Sequence, residues 1–280
     1  MLVPFATFAS MCLVIHETCF ILQRHPPHIG GLPSAVHTAE MQQLVRLIAV
    51  AACTLLFAMP CTAHAAPPSS DLLARLAVHA AGFETMKTHA SYAVDGKMET
   101  LASDGLVDGN KEITGNVVAN GKKAHFNVVK YTEDGADKTD EAKQKARDQV
   151  AKNKKDKNKR NIRMPFHAGE QARYNFDVVE TDARDPSRIR IAFTPKVTAD
   201  DTVEGSAWVD THAGTVVSAG FKLSKPPSFV DYVHITVEFG APTKLGPAIS
   251  HVALTGKAGF LIFKKDFRAD ATLSGYAITP

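Results

Sequence analysis

After Cys61 the chain contains no cysteine; Cys12, Cys19, Cys53 and Cys61 all fall in the first quarter of its 280 residues. No disulfide and no cysteine-ligated zinc can hold residues 66–280, which depend on an apolar core alone. Tryptophan occurs once, as Trp208. Beyond residue 65 the histidines are His79, His89, His125, His167, His212, His234 and His251, and no two have the close spacing of a zinc motif. No metal or other cofactor is therefore expected. A phosphate-binding loop is absent too, since Thr255-Gly256-Lys257 lacks the upstream glycine. Gly205-Ser206-Ala207 continues a strand pattern where a nucleophile elbow needs a second glycine. Asp210-x-His212 and Asp231-x-x-His234 come nearest to an acid–imidazole pair, and both fit ordinary surface and turn usage. The expectation is a protein that catalyses nothing. Charge of neither sign dominates: the net is +3. Residues 1–65 hold two bases and two acids, so the balance is the same without them. Nucleic acid is not an expected partner.

Long apolar runs are confined to the start of the chain. Residues 41–65 place Arg46 ahead of an apolar stretch from Leu47 to Met59, then Ala63-His64-Ala65. That is the layout of a secretory signal peptide cut between Ala65 and Ala66, and the run is too short for a transmembrane helix. Export to the periplasm follows. Val50-Ala51-Ala52-Cys53 resembles a lipoprotein processing site, but few residues separate it from Met41, so the lipid-anchored form is disfavoured against the cleaved one. A leader belongs at the start of a protein. Met41 is accordingly read as the initiator and residues 1–40 as an extension from a misplaced gene start, the alternative being a genuine N-terminal membrane anchor in the apolar stretch Met1 to Leu22.

What remains is rich in alternating sequence. Val203, Ala207 and Val209, then Val217, Ala219, Phe221 and Leu223, are apolar at period two, with Gly214 in the turn between them. Trp208 lies on the opposite, polar side of that pattern, so something must cover it. Similar alternation marks the segments beginning at His89, Lys111 and Lys122, with Asn120-Gly121 as a hairpin turn. It resumes at Ala172 (Tyr174, Phe176, Val178), at Arg188 (Ile189, Ile191, Phe193) and at Phe229 (Val233, Ile235, Val237, Phe239), and continues to the end. About nine to eleven antiparallel strands result. Before them, Ser70 is a plausible N-cap, and Leu72, Leu73, Leu76, Ala80, Phe83 and Met86 recur at helical spacing, giving an amphipathic helix packed on the sheet.

The composition breaks at about 134–163. Residues 138–163 carry eleven Lys and Arg against four acids, and Lys152 to Arg160 includes no apolar residue. Such a stretch cannot enter a core. Ala142, Ala146, Val150 and Ala151 permit a helix in its first half; Lys152, Lys154, Lys155, Lys157, Lys159 and Arg160 are candidates for contact with an anionic membrane surface. No aromatic residue interleaves them to stack on bases.

Residues 70–276 resemble the LolA/LolB-like superfamily of periplasmic lipoprotein-localisation proteins. The resemblance runs through Asp71-Leu72-x-x-Arg75-Leu76 on the helix and His89-Ala90-Ser91-Tyr92 entering the first strand. It continues in Gly205-x-x-Trp208-Val209-Asp210 with the turn at Gly214, and in Phe263-Lys264-Lys265-Asp266-Phe267-Arg268 leading to Tyr276. The chain departs from the family in the basic insertion and in Ala93-Val94 after Tyr92, where a polar residue would stand. The resemblance implies an α+β fold, mainly antiparallel β: an unclosed half-barrel whose helices cover the concave face, with an apolar cavity between. It implies a non-catalytic binder of a lipid, acyl chain or lipoprotein, with a role in outer-membrane lipoprotein sorting. The alternative is a non-catalytic scaffold of an envelope complex whose cavity is filled. Candidate cavity-wall residues are Phe176, Phe193, Trp208, Phe221 and Phe239; the sequence leaves open which sheet face is concave. Expected partners are an amphiphile or lipoprotein, the membrane surface and envelope proteins, and the expected form is a monomer.

Overall fold

A computed structural model describes residues 66–121, 124–153, 162–227, 229–260 and 263–279. The leader expected at 41–65 and the extension before it lie outside the described residues, as do Lys154, Lys155, Lys157, Lys159 and Arg160.

Helix α1 (Ser70–His89) begins one residue earlier than the sequence suggests. Its N-cap is Ser69, whose Oγ accepts from the Leu72 amide at 3.2 Å, while Ser70 is already helical. Two adjacent serines offer the same side chain, and the one with extended backbone (φ −61°, ψ 148°) takes the cap. Asp71 in the first turn, and Lys87 and His89 in the last, complement the helix dipole. The helix buries Leu72, Leu76, His79, Ala80 and Met86.

Eleven antiparallel strands form one sheet: β1 (Ala90–Leu101), β2 (Val107–Ala119), β3 (Ala124–Glu133), β4 (Ala136–Asp137), β5 (Tyr174–Thr181), β6 (Arg188–Pro195), β7 (Val203–Asp210), β8 (Thr215–Leu223), β9 (Val230–Ala241), β10 (Ala248–Phe260) and β11 (Phe263–Ile278). Their spatial order is β4-β3-β2-β1-β11-β10-β9-β8-β7-β6-β5. The chain thus makes a meander outwards from β1 to one edge, crosses to the far edge, and meanders back until β11 pairs with β1, Ala90 opposite Ile278. The sheet is unclosed, α1 lies over its concave face, and the fold is an α+β half-barrel.

The period-two pattern holds along most strands. Ile191 and Phe193 of β6, Val203, Ala207 and Val209 of β7, and Ile235, Val237 and Phe239 of β9 are buried together on the concave side with Leu72 and Leu76. On β8 the phase differs from expectation. Trp208 pairs with Ser218 but Val209 with Val216, so a bulge at Val217 shifts the alternation. Val216, not Val217, is fully buried. The tight turn before it has Gly214 at φ +65°, and a Cβ there would stand 2.5 Å from the Arg75 Cβ of α1. Arg75 holds the same turn through its guanidinium, which donates to the Thr211 and His212 carbonyls at 2.7 and 3.1 Å.

Helix α2 (Thr139–Asn153) fills the first half of the basic segment, as its alanines permit, and packs along β3. From Ile162 the chain is not a solvated continuation of that segment. Ile162 and Met164 pack against the core and Phe166 is only 1% exposed. A 3-10 turn, Gln171–Arg173, then leads into β5, leaving Ala172 exposed and ahead of the strand in which the alternation had placed it.

Candidate functional site

The concave face is not filled by α1 alone. Residues Ile162 to Phe166 lie across it as a strap, and beneath the strap a cavity of about 150 Å³ remains. Three sources wall it. Helix α1 contributes Phe83, Met86 and Lys87; the strap contributes Ile162 to Phe166; the sheet contributes side chains from β1 and from β6 to β11. Tyr276 on the wall donates its hydroxyl to the Ile249 carbonyl at 2.7 Å and stacks on Tyr92 at 4.7 Å between centroids. Burial pushes the Tyr276 phenol well above its ordinary value, so the hydroxyl stays protonated.

The strap has one deep anchor. Phe166 stacks on Phe176 at 5.4 Å and meets Phe193 edge-on at 6.0 Å. The Gln171 side-chain amide binds the Phe166 carbonyl and the Leu73 carbonyl of α1, both at 2.8 Å, tying strap to helix. Arg173 pairs with Glu170 and, by two hydrogen bonds, with Asp201, fixing the turn behind it. Towards its other end the strap is held less completely: Ile162 and Met164 are only half-buried and Arg163 is exposed.

Helix and sheet are joined at a second buried point. His79 Nδ1 accepts from the Val216 amide at 3.1 Å, which leaves Nε2–H to donate to the Pro247 carbonyl at 3.0 Å. Both nitrogens are used by a neutral ring, and burial lowers the pKa from its ordinary value. The ring also meets Phe239 edge-on at 5.4 Å. The apolar stripe of α1 did not include His79, because a polar residue on a helix face carries no signal of burial unless its partners are known.

Of the five expected wall residues, Phe193, Phe221 and Phe239 line the cavity, and Phe176 sits behind Phe166, one layer out. Trp208 does not. It pairs with Arg190 and Ser218 on the convex face, away from the cavity, and what covers it is the Arg190 guanidinium, 5.8 Å from the ring centroid. Alternation placed Trp208 opposite its neighbours correctly, but the concave face is the one carrying Val203, Ala207 and Val209. The residues missed by sequence reasoning are those of the strap, above all Phe166. They lie in no periodic segment and follow a basic run. Of the basic candidates, Lys152 falls in the last turn of α2 and the others lie outside the described residues. Among the described residues no cluster of His, Cys, Asp and Glu could hold a metal ion, and no helix is long and apolar enough to cross a membrane.

No family model matches the sequence, and no curated protein matches it. Among solved structures, the chain is similar to the LolA superfamily protein NE2245 from Nitrosomonas europaea, with 11% identity over 77% of this chain and 95% of that one, at a TM-score of 0.31. It is similar to MucB in complex with MucA(peri), 10% identical over 76% of this chain and 100% of that one, at a TM-score of 0.22. A MucA/MucB complex of Pseudomonas aeruginosa matches at 10% identity over 75% and 98%, with a TM-score of 0.21. At such values the functional reading rests on the chain's own residues.

Proposed function

We propose that this protein is a non-catalytic binding protein, exported to the periplasm, that shelters an acyl chain of a lipid or lipoprotein beneath the strap and takes part in moving such amphiphiles through the envelope. The observation that carries the reading is the cavity. Its lining is apolar and aromatic except at Lys87 and Arg163. Apolar cavities near 150 Å³ stay dry and take up apolar guests, because water inside would find no hydrogen-bond partners. The space fits a segment of one chain, and a longer chain requires the half-buried end of the strap to move aside. The leader at 41–65 supports export. The basic run through Lys152, Lys154, Lys155, Lys157, Lys159 and Arg160 supports contact with the anionic surface from which an amphiphile would be drawn.

A second reading has one observation in its favour. Phe166 is as buried as any core residue, which suits a scaffold whose concave face is permanently filled. Two measurements separate them. Protein isolated from its native envelope is examined by mass spectrometry for bound lipid, and the neutral dye N-phenylnaphthylamine is titrated into lipid-free protein. The carrier reading expects bound lipid, dye fluorescence on uptake, and loss of that uptake in Ala219→Trp, where a large side chain enters the cavity from β8. Protein without lipid that ignores the dye is a scaffold.

A further inference from the structure

We infer that the cavity takes a single-chain amphiphile whose head is a monoanion, held at the mouth between Lys87 and Arg163. This rests on the cavity being an acyl site, as proposed above, and adds the charge of the head.

Among the described residues, Lys87 and Arg163 are the only charged ones on the lining. They come from different elements, the last turn of α1 and the strap, and lie close enough for Arg163 to repel the Lys87 ammonium. Glu84 answers one of them, its Oε1 2.5 Å from Lys87 Nζ. Arg163 forms no ion pair with any described residue. Among the described residues, two cations and one carboxylate leave a single positive charge in excess at the edge of an apolar space. Glu84 balances the largely buried ammonium, whereas the exposed Arg163 guanidinium keeps its charge in solvent, free to pair with an anionic head.

The Lys87 side chain is 14% exposed, and its ammonium lies 5.3 Å from the Phe83 ring centroid. Burial lowers its pKa and Glu84 raises it. The carbonyl end of α1 favours the charged form as well. Tyr276, also on the lining, already donates its hydroxyl to the Ile249 carbonyl. A carboxylate or phosphodiester head would bring the mouth to neutrality while its chain enters between Phe83, Phe166 and Phe239. A cationic head would add to the excess, and an uncharged head would leave it unbalanced.

The test is displacement of N-phenylnaphthylamine by four twelve-carbon competitors below their micelle concentrations: dodecanoate, lauroyl lysophosphatidylglycerol, lauroyl lysophosphatidylcholine and dodecyltrimethylammonium. Both anions are expected to displace the dye at concentrations about tenfold lower than the zwitterion and the cation, the effect of one partly screened charge pair. A better showing by dodecanoate assigns the head to a fatty acid, and by the lysophosphatidylglycerol to a phospholipid. The preference should vanish in Lys87→Gln/Arg163→Gln while the neutral dye still binds. Arg163→Gln alone, at an exposed side chain, should shrink it, and Glu84→Gln, which leaves two excess charges, should enlarge it. Dye binding with equal displacement by all four competitors overturns the charge assignment and leaves the acyl site standing. Failure of the dye and of every competitor to bind overturns both.

Discussion

Replacing Phe166 by alanine is the most informative single perturbation of the strap. The ring is 1% exposed and makes two aromatic contacts, stacked on Phe176 and edge-on to Phe193. Loss of a buried phenylalanine side chain costs roughly 3 to 5 kcal/mol, and aromatic pairs add about 0.5 to 1.5 kcal/mol each beyond area burial, which puts Phe166→Ala near the upper end. A domain of this kind has about 5 to 15 kcal/mol to lose, so the variant should fold with a much lower urea midpoint and an unchanged m-value. The site also borders an existing cavity, so the removed ring enlarges a space that a ligand can refill. Dodecanoate at a fixed excess should therefore raise the midpoint of Phe166→Ala more than that of the parent. A loss below about 1 kcal/mol would mean that the strap is not anchored there, against the geometry. A large loss that no amphiphile restores would mean that the ring is core and the space beside it is not a site.

Three further outcomes follow from contacts already described. His79 is neutral when folded and its pKa is lowered by burial, so its contribution is complete above the ordinary value near 6.5 and is lost as pH falls below that towards the folded value. Stability of the parent minus that of His79→Gln, from urea melts between pH 8 and 5, should decline by about 1.4 kcal/mol per unit in that window, and a flat difference would exclude a neutral buried ring. Gly214→Ala combines a left-handed backbone with a contact to Arg75, so it should lower stability by about 1 to 3 kcal/mol, whereas an exposed left-handed glycine such as Gly105, with nothing near it, should lose less on the same change. Trp208→Ala on the convex face gives up mainly the Arg190 contact, about 1 kcal/mol, and tryptophan emission should not respond to an amphiphile in the cavity; a strong shift would put the indole on the wrong side of the sheet.

The parts of this fold that were legible in the sequence are those written in a period. Ile189, Ile191 and Phe193, or Ile235, Val237 and Phe239, state by alternation that they share a face, and Gly214 and Asn120-Gly121 mark turns for a steric reason. What alternation cannot state is which face is concave, and so Trp208 was an equal candidate with Phe221 until curvature was known. A bulge is invisible for a related reason: Val216 and Val217 are the same residue twice, and only the pairing with Trp208 and Val209 shows which one turns inward. The strap was hidden differently. Ile162-Arg163-Met164-Pro165-Phe166 is too short for a moment and stands next to the most basic stretch of the chain, so composition averaged over a window concealed its three large apolar side chains.

The pairing of β1 with β11 sets the order in which this protein can assemble. Every other neighbouring pair of strands is adjacent in sequence, so each meander can zip locally as a run of hairpins. The junction between them joins Ala90 to Ile278, across almost the whole described chain. Closing so long a loop earns no ladder until the last strand exists, and non-local contacts of this kind slow folding. During synthesis the outward meander, β1 to β4, emerges first, and β1 then has an unpaired edge until the final residues arrive. In refolding experiments the two meanders should form fast and dock slowly, and substitutions at the β1–β11 seam should change the slow rate most. A chain truncated before Phe263 would keep that edge open permanently and should associate through it.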